Sequence, residues 1–254
     1  AAGYGKTKAV AGYLAHGADI HSLDKYENTP LINAAIGEHE DTVALLLEKG
    51  ADTSAKNDSD RTALAESLLR KNKKVQDLLI AATKIDIFDA VRIGRLALLK
   101  KLSKTESLKS KNSSGDTLLM TAAYWQHLSV VKYLVAQGLD VNASNKHGWS
   151  VLRMPCYQPS GKALKIMKFL VENGADIDAV DSTNETVLFY SANYPKNNKI
   201  SQFLIDAGAN LEKADKWGNT ALMVACKAGN GKLVKVLLEK GADKDAKNNA
   251  GKSI

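Results

Sequence analysis

What is scarce in this 254-residue chain narrows its architecture first. No run of about 18 apolar residues occurs, so nothing in it reads as a membrane-spanning helix. The two cysteines, Cys156 and Cys226, are too few for a disulfide framework, which is compatible with a reducing compartment without proving one. Aromatics make up only 6% of the residues, as expected of thin layers filled with Ala, Leu and Val. The five histidines (His16, His21, His39, His127 and His147) are scattered and form no ligand cluster. Gly5-Lys6-Thr7 lacks the upstream glycine and preceding strand of a phosphate-binding loop. Asp176, Asp178 and Asp181 lack the Gly and bidentate Glu of a calcium loop and read as capping residues. No serine has a nucleophile-elbow context and neither cysteine a neighbour that would activate it, so no enzymatic activity, cofactor or metal is expected.

What the chain does have is a repeated unit. From Asp215 it reads DKWGNTALMVACKAGNGKLVKVLLEKGADKDAKN: a turn at Gly218-Asn219, Thr220 as a helix cap, then two apolar stripes at helical spacing. The second stripe stops at Gly241, which suits a left-handed helix terminus. Gly-Ala pairs recur at 17, 50, 174, 208 and 241, with Gly138-Leu139 as a variant, and helix-start threonines recur at 29, 62, 117, 186 and 220, with Ser150 substituting. Neither helix of such a unit buries its stripe alone, so the units must stack. In this arrangement the two cysteines lie two repeats apart, too far to bond.

The segment TPLINAA at 29–35, followed by LLLEKGADTSA, resembles the ankyrin repeat, with its T-P-L-H-x-A signature and period of about 33. The resemblance covers nearly the whole chain and is specific, because the motif recurs in register. It implies an all-α ankyrin-repeat solenoid of stacked helix-turn-helix units with short β-hairpin loops and incomplete repeats at both ends. Flanking residues or caps are expected outside the sequence, and any export signal would lie there.

Taken in order, residues 1–22 are the tail of a repeat and 23–55 a full one, with Pro30 at the first helical position. The second repeat, 56–84, lacks a Gly-Ala exit, and the next helix pair, 85–102, begins about a hairpin's length too early. That notch divides the expected continuous solenoid into 1–84 and 85–254. In the fifth repeat, Pro155 and Pro159 should cut the first helix short, since an interior proline costs about 3 kcal/mol, and residues 154–161 are expected to open into a distinct loop. In the sixth, Tyr194 to Asn198 reads as the inter-helix turn.

Two features point to partners. Residues 70–111 carry 12 Lys or Arg against 4 acids, a stripe suited to nucleic acid or an anionic surface, although Phe88 is its one aromatic and no series of aromatics is interleaved for base stacking. In the resembled family, partners are read by hairpin residues and by the two residues after the Ala-Ala of each first helix. Carried over, that register collects eight of the fifteen aromatics, all three tryptophans among them. The expected partner-binding residues are Tyr124, Trp125, Lys146, His147, Trp149, Tyr157, Tyr194, Lys216, Trp217 and Lys227. Phe169 and Phe203 are expected on buried stripes instead.

The resulting expectation is a non-enzymatic protein-interaction module, monomeric until it forms a complex, gripping a folded partner on a concave aromatic face. It would act as inhibitor or regulator, for example of a bacterial cell-wall hydrolase. Its compartment would be cytoplasmic by default, or periplasmic if an export signal precedes residue 1. The alternative is electrostatic binding of nucleic acid or an anionic surface through 70–111.

Overall fold

The computed structural model describes residues 1–70 and 72–254. Lys71, part of the basic stretch 70–111, lies outside the described residues. Compact packing divides the chain into two units, 1–93 with 97–102 and 94–96 with 103–254.

The first unit opens with a 3-10 turn, Ala2–Tyr4, followed by helices α1 (Thr7–Ala15), α2 (Pro30–Ile36), α3 (Glu40–Glu48), α4 (Ala63–Leu68), α5 (Lys73–Ala82) and α6 (Ile87–Arg92). Leu31, Ile32, Leu46, Leu64 and Leu79 are fully buried between these helices, each contributing roughly 1.5–3 kcal/mol of transfer free energy. Where the sequence lacks a hairpin, Thr83 leaves α5 in extended backbone and Asp86 at once caps α6, accepting from the Asp89 N–H at 2.7 Å. Helix α7 (Leu96–Leu102) lies across the boundary between the units.

The second unit contains α8 (Leu118–Tyr124), α9 (Leu128–Ala136), a 3-10 helix Val151–Tyr157, α10 (Gly161–Glu172), α11 (Val187–Ala192), a 3-10 turn Pro195–Asn197, α12 (Asn198–Asp206), α13 (Ala221–Lys227) and α14 (Gly231–Glu239). Its core is Leu, Ile and Met from both helices of each pair, with Leu119, Leu134, Leu152 and Ile166 fully buried. The hairpins are reduced to isolated antiparallel bridges, Lys111 with Thr117, Ser144 with Ser150 and Ala214 with Thr220. The all-α ankyrin solenoid implied by the repeats is therefore what the chain forms.

Local chemistry explains the helix starts. The hydroxyls of Thr29, Thr62, Thr117, Thr186 and Thr220 each accept from the third following N–H, at 3.3, 3.2, 3.2, 3.1 and 3.4 Å, a cap worth about 1 kcal/mol. Ser150 departs from the expectation: it stands at the cap position but its side chain makes no cap bond, because the turn it opens is 3-10 rather than α. The hairpins begin with Asp or Asn whose side-chain oxygen accepts the N–H four residues on, as Asp24 does for Asn28, Asn145 for Trp149 and Asp215 for Asn219. His39 and His127 precede α3 and α9 without capping them; their rings pack against Gly5 and Gly94 instead.

Two other expectations are corrected. Residues 154–161 are not an open loop: the 3-10 helix absorbs Pro155 and continues to Tyr157, and Ser160 caps α10 by accepting from Lys162 and Ala163 at 3.1 Å. Only 158–160 link the two, tied down by Gln126, which donates to the Gln158 carbonyl and accepts from the Ser160 hydroxyl. Phe169 and Phe203 are half-buried rather than in the core. Each is covered by a lysine, Lys132 Nζ at 5.6 Å and Lys168 Nζ at 6.0 Å from the ring centres.

Candidate functional site

The second unit gathers aromatic rings into one continuous row. Tyr124 ends α8 and Trp125 caps it in helical backbone, so the two rings meet edge to face at 5.5 Å and 76°. Tyr124 continues to Tyr157 at 5.8 Å, Tyr157 to Tyr190 at 5.5 Å, and Tyr190 to Tyr194 at 5.2 Å. Trp149 joins from the hairpin at 6.0 Å from Tyr157, with the His147 ring 4.7 Å beyond it. Each such pair is worth about 0.5–1.5 kcal/mol beyond its buried area. The 3-10 geometry matters here, because it delivers Tyr157 into the row.

One buried cation organises these rings. The side chain of Arg153 is only 9% exposed, and its guanidinium lies 4.9 Å from the Trp149 ring centre and 4.2 Å from that of Tyr190. It donates a short bond to Asp181 and sits 3.9 Å from Glu185, while its Nε has no partner among the described residues. A desolvated cation–π contact is worth about 2 kcal/mol, whereas a buried ion pair returns little net stability once desolvation is counted. The consequence of Arg153 is therefore chiefly geometric: it locks two rings and the following hairpin together.

The titration behaviour follows from this packing. Burial would raise the Asp181 carboxyl, but bonds from the Thr183 hydroxyl and the Glu185 and Thr183 N–H groups, with Arg153, hold it below its ordinary value. Glu185 moves the other way, raised by burial and then by Asp181. Burial raises the Tyr157 and Tyr190 phenols and pushes the Cys156 thiol up to about 12, leaving a protonated, unreactive sulfur.

Of the residues singled out from sequence, Tyr124, Trp125, His147, Trp149, Tyr157 and Tyr194 are joined by ring contacts through Tyr190. The first two, Trp149 and Tyr157 are half-buried because each ring covers the next. Trp217, 52% exposed, is set off from the row across a cleft of about 370 Å³ that Tyr190 and Lys227 also line. Lys216 Nζ lies over the Trp217 ring at 4.4 Å, and Lys146 is exposed on the adjoining hairpin. Sequence reasoning missed Arg153 and Tyr190. The available signal was an arginine on an otherwise apolar helix register, followed by two acids in the next hairpin.

Among the described residues no group of three or more His, Cys, Asp or Glu is placed to hold a metal ion, and no helix is long and apolar enough to cross a membrane. Known proteins add the family context. Residues 1–89, 87–181 and 160–248 each match the model of the family described as ankyrin repeats (3 copies). Similar proteins include lin-12 of Caenorhabditis elegans, 30% identical over 49% of this chain and 10% of that protein. Ankyrin repeat and SAM domain-containing protein 6 of Rattus norvegicus is 29% identical over 46% of the chain and 15% of its own length. Ankyrin repeat domain-containing protein 29 of Homo sapiens is 49% identical over 22% and 19%. The matched regions are thus no more than a fifth of these relatives' lengths. Because the family match runs over nearly all of its residues, the chain belongs to the ankyrin repeat family, whose repeats generally serve as non-enzymatic protein–protein interaction modules.

Proposed function

We propose that this chain binds a folded protein partner through the aromatic row of its second unit, and that it acts as a stoichiometric regulator or inhibitor of that partner. The observation that carries this is the continuity of Trp125, Tyr124, Tyr157, Tyr190 and Tyr194, braced by buried Arg153. Rings held rigid before binding lose little conformational entropy on contact, and large aromatics of this kind dominate interface energetics. Exposed Lys146, His147, Lys216 and Lys227 supply a cationic rim. Rigid amphipathic anchors with such a rim suit the mouth of an enzyme active site, a bacterial cell-wall hydrolase being the concrete candidate.

The basic stretch 70–111 has less to support it as the contact surface. Arg70 donates to the Ile36 carbonyl at 3.3 Å, Lys74 pairs with Glu40 at 3.3 Å, and Arg92 is buried against Asp89 at 3.0 Å. Part of its charge is therefore engaged within the fold.

Affinity capture followed by mass spectrometry identifies the partner, and titration of variants then tests the surface. Trp125→Ala and Trp217→Ala should each weaken binding by about 2 kcal/mol or more if they are hot spots. Unchanged affinity in both, with binding abolished by charge reversal at Lys73, Lys74, Lys100 and Lys101, transfers the site to the basic stretch. For the inhibitor role, one equivalent of the chain should suppress the captured enzyme's turnover; full turnover in the saturated complex would leave it a tether.

A further inference from the structure

Three pairs of successive hairpins are bonded side chain to side chain by one rule, and two junctions break it, Trp149 with Asp181 and Glu185 with Asp215. The asparagine that opens a hairpin donates to the fifth residue of the hairpin before it: Asn57 Nδ2 to Asn28 Oδ1 at 3.0 Å, Asn145 Nδ2 to Asp116 Oδ1 at 2.8 Å, and Asn248 Nδ2 to Asn219 Oδ1 at 2.8 Å. Where the sixth repeat meets the seventh, the opening residue is Asp215 and the fifth residue of the preceding hairpin is Glu185. A second carboxylate thus takes the place of the amide donor. Among the described residues no side-chain hydrogen bond links the two, and Asp215 adds to the forces that raise the Glu185 pKa, after burial and Asp181.

These carboxylates line the cleft of about 370 Å³, with Tyr190 and Trp217 as aromatic walls and Met223 below. Lys227 also lines the cleft, but it is exposed and forms an ion pair with neither acid among the described residues. Beside it, a similar grouping of aromatic rings and acids shows what such a setting holds. Arg153, three residues after the helix-start Ser150, lies between the Trp149 and Tyr190 rings and faces Asp181 and Glu185. Three residues after helix-start Thr186 the chain has Phe189 instead, so among the described residues no ion pair joins Asp215 to a cation, and Glu185 meets Arg153 only at 3.9 Å.

We propose that this cleft receives the guanidinium of an arginine side chain from the protein partner, an inference that rests on the protein-binding function above. The guanidinium would donate to Glu185 and Asp215, with its planar face against Tyr190 or Trp217. Arginine fits better than lysine because its fork bridges two carboxylates while its flat face stacks on a ring.

The test uses the isotopically labelled chain titrated with Nα-acetyl-arginine methylamide, and with its neutral citrulline counterpart, read by amide and indole NMR. The arginine probe should shift the Trp217 indole and the 185 and 219 amides saturably, at least ten-fold more tightly than the citrulline probe. Asp215→Asn removes one charge and installs the donor found at three other junctions, with the same hairpin cap that Asn145 and Asn248 support, so it should fold and lose the response at least ten-fold. Lys227→Met should strengthen binding severalfold, by removing a competing cation. Equal binding of citrulline, an undiminished response in Asp215→Asn, or calcium ion displacing the arginine probe from the same resonances would each overturn the proposal. Trp125→Ala lies outside the cleft and should leave the response intact. A captured partner that is lost on Trp125→Ala while the cleft ignores arginine would sink this inference and leave the protein-binding function standing.

Discussion

The guanidinium of Arg153 lies 4.2 Å from the centre of the Tyr190 ring, joining the fifth repeat's first helix to the sixth's. The same group neutralises Asp181, whose side chain is 5% exposed. Arg153→Ala should therefore cost about 3–5 kcal/mol in urea unfolding, because it strands the buried Asp181 carboxylate as well as removing a stacked cation. Arg153→Lys should fall between parent and alanine, keeping the charge without the planar fork. A loss below about 1 kcal/mol for the alanine variant would show that Arg153 does not brace the rings.

Asp215 offers the opposite experiment. Replacing it with asparagine supplies the donor that bonds three other junctions and separates Glu185 from a like charge. A gain of about 1 kcal/mol in thermal or urea unfolding is expected, the size of one added hydrogen bond. The converse change, Asn145→Asp, sets a carboxylate against Asp116 and should destabilise by about 1–3 kcal/mol. Destabilisation by Asp215→Asn comparable to that of Asn145→Asp would mean that the acid pair is not strained.

The repeat register was readable because it depends on local chemistry: a threonine cap, a glycine in left-handed backbone and apolar stripes at helical spacing. Thr186 and Gly208 are therefore placed by sequence, and the inter-helix turn expected from Tyr194 to Asn198 forms, except that Asn198 already opens α12. The failures share a cause. A missing N–H at Pro155 breaks an α-helical bond and so predicts a helix end, but a 3-10 turn tolerates it and brings Tyr157 into the row. Arg153 is not legible in the sequence because its partners, Asp181 and Glu185, are supplied by the next repeat, and a contact across repeats leaves no local pattern.

Asp24 gives a pH prediction confined to the first unit. Slight burial would raise its pKa, but donation from Asn33, Asn28 and the Tyr26 and Asn28 N–H groups lowers it from 3.8 to about 2. The folded state thus holds the proton less tightly than the unfolded chain. The carboxylate's contribution is complete above pH 3.8 and is lost as pH falls towards about 2. Asp24→Ala should be less stable than parent at neutral pH, and the gap should close across that window. A gap that stays constant between pH 5 and pH 2 would show that the Asp24 charge contributes nothing.

The last prediction separates backbone strain from packing at two glycines. Gly148 and Gly174 both have positive φ, 76° and 86°, so alanine at either incurs the roughly 1–2 kcal/mol cost of left-handed backbone. Their surroundings differ. A Cβ on Gly174 would meet nothing within 4 Å, whereas one on Gly148 would lie 2.7 Å from the Ser182 nitrogen and 3.0 Å from the Asp181 carbonyl carbon. Those are backbone atoms, unable to swing aside, and Ser182 N donates to the His147 carbonyl at 3.1 Å across the same contact. Gly148→Ala must push away the hairpin that presents Asp181 to Arg153. It should therefore cost about 1–3 kcal/mol more than Gly174→Ala, the range for overpacking a close contact, and should also broaden the resonances of Trp149 and Tyr190. Equal costs at the two positions would mean that the hairpins yield freely, and that the rigidity ascribed to the aromatic row has another source.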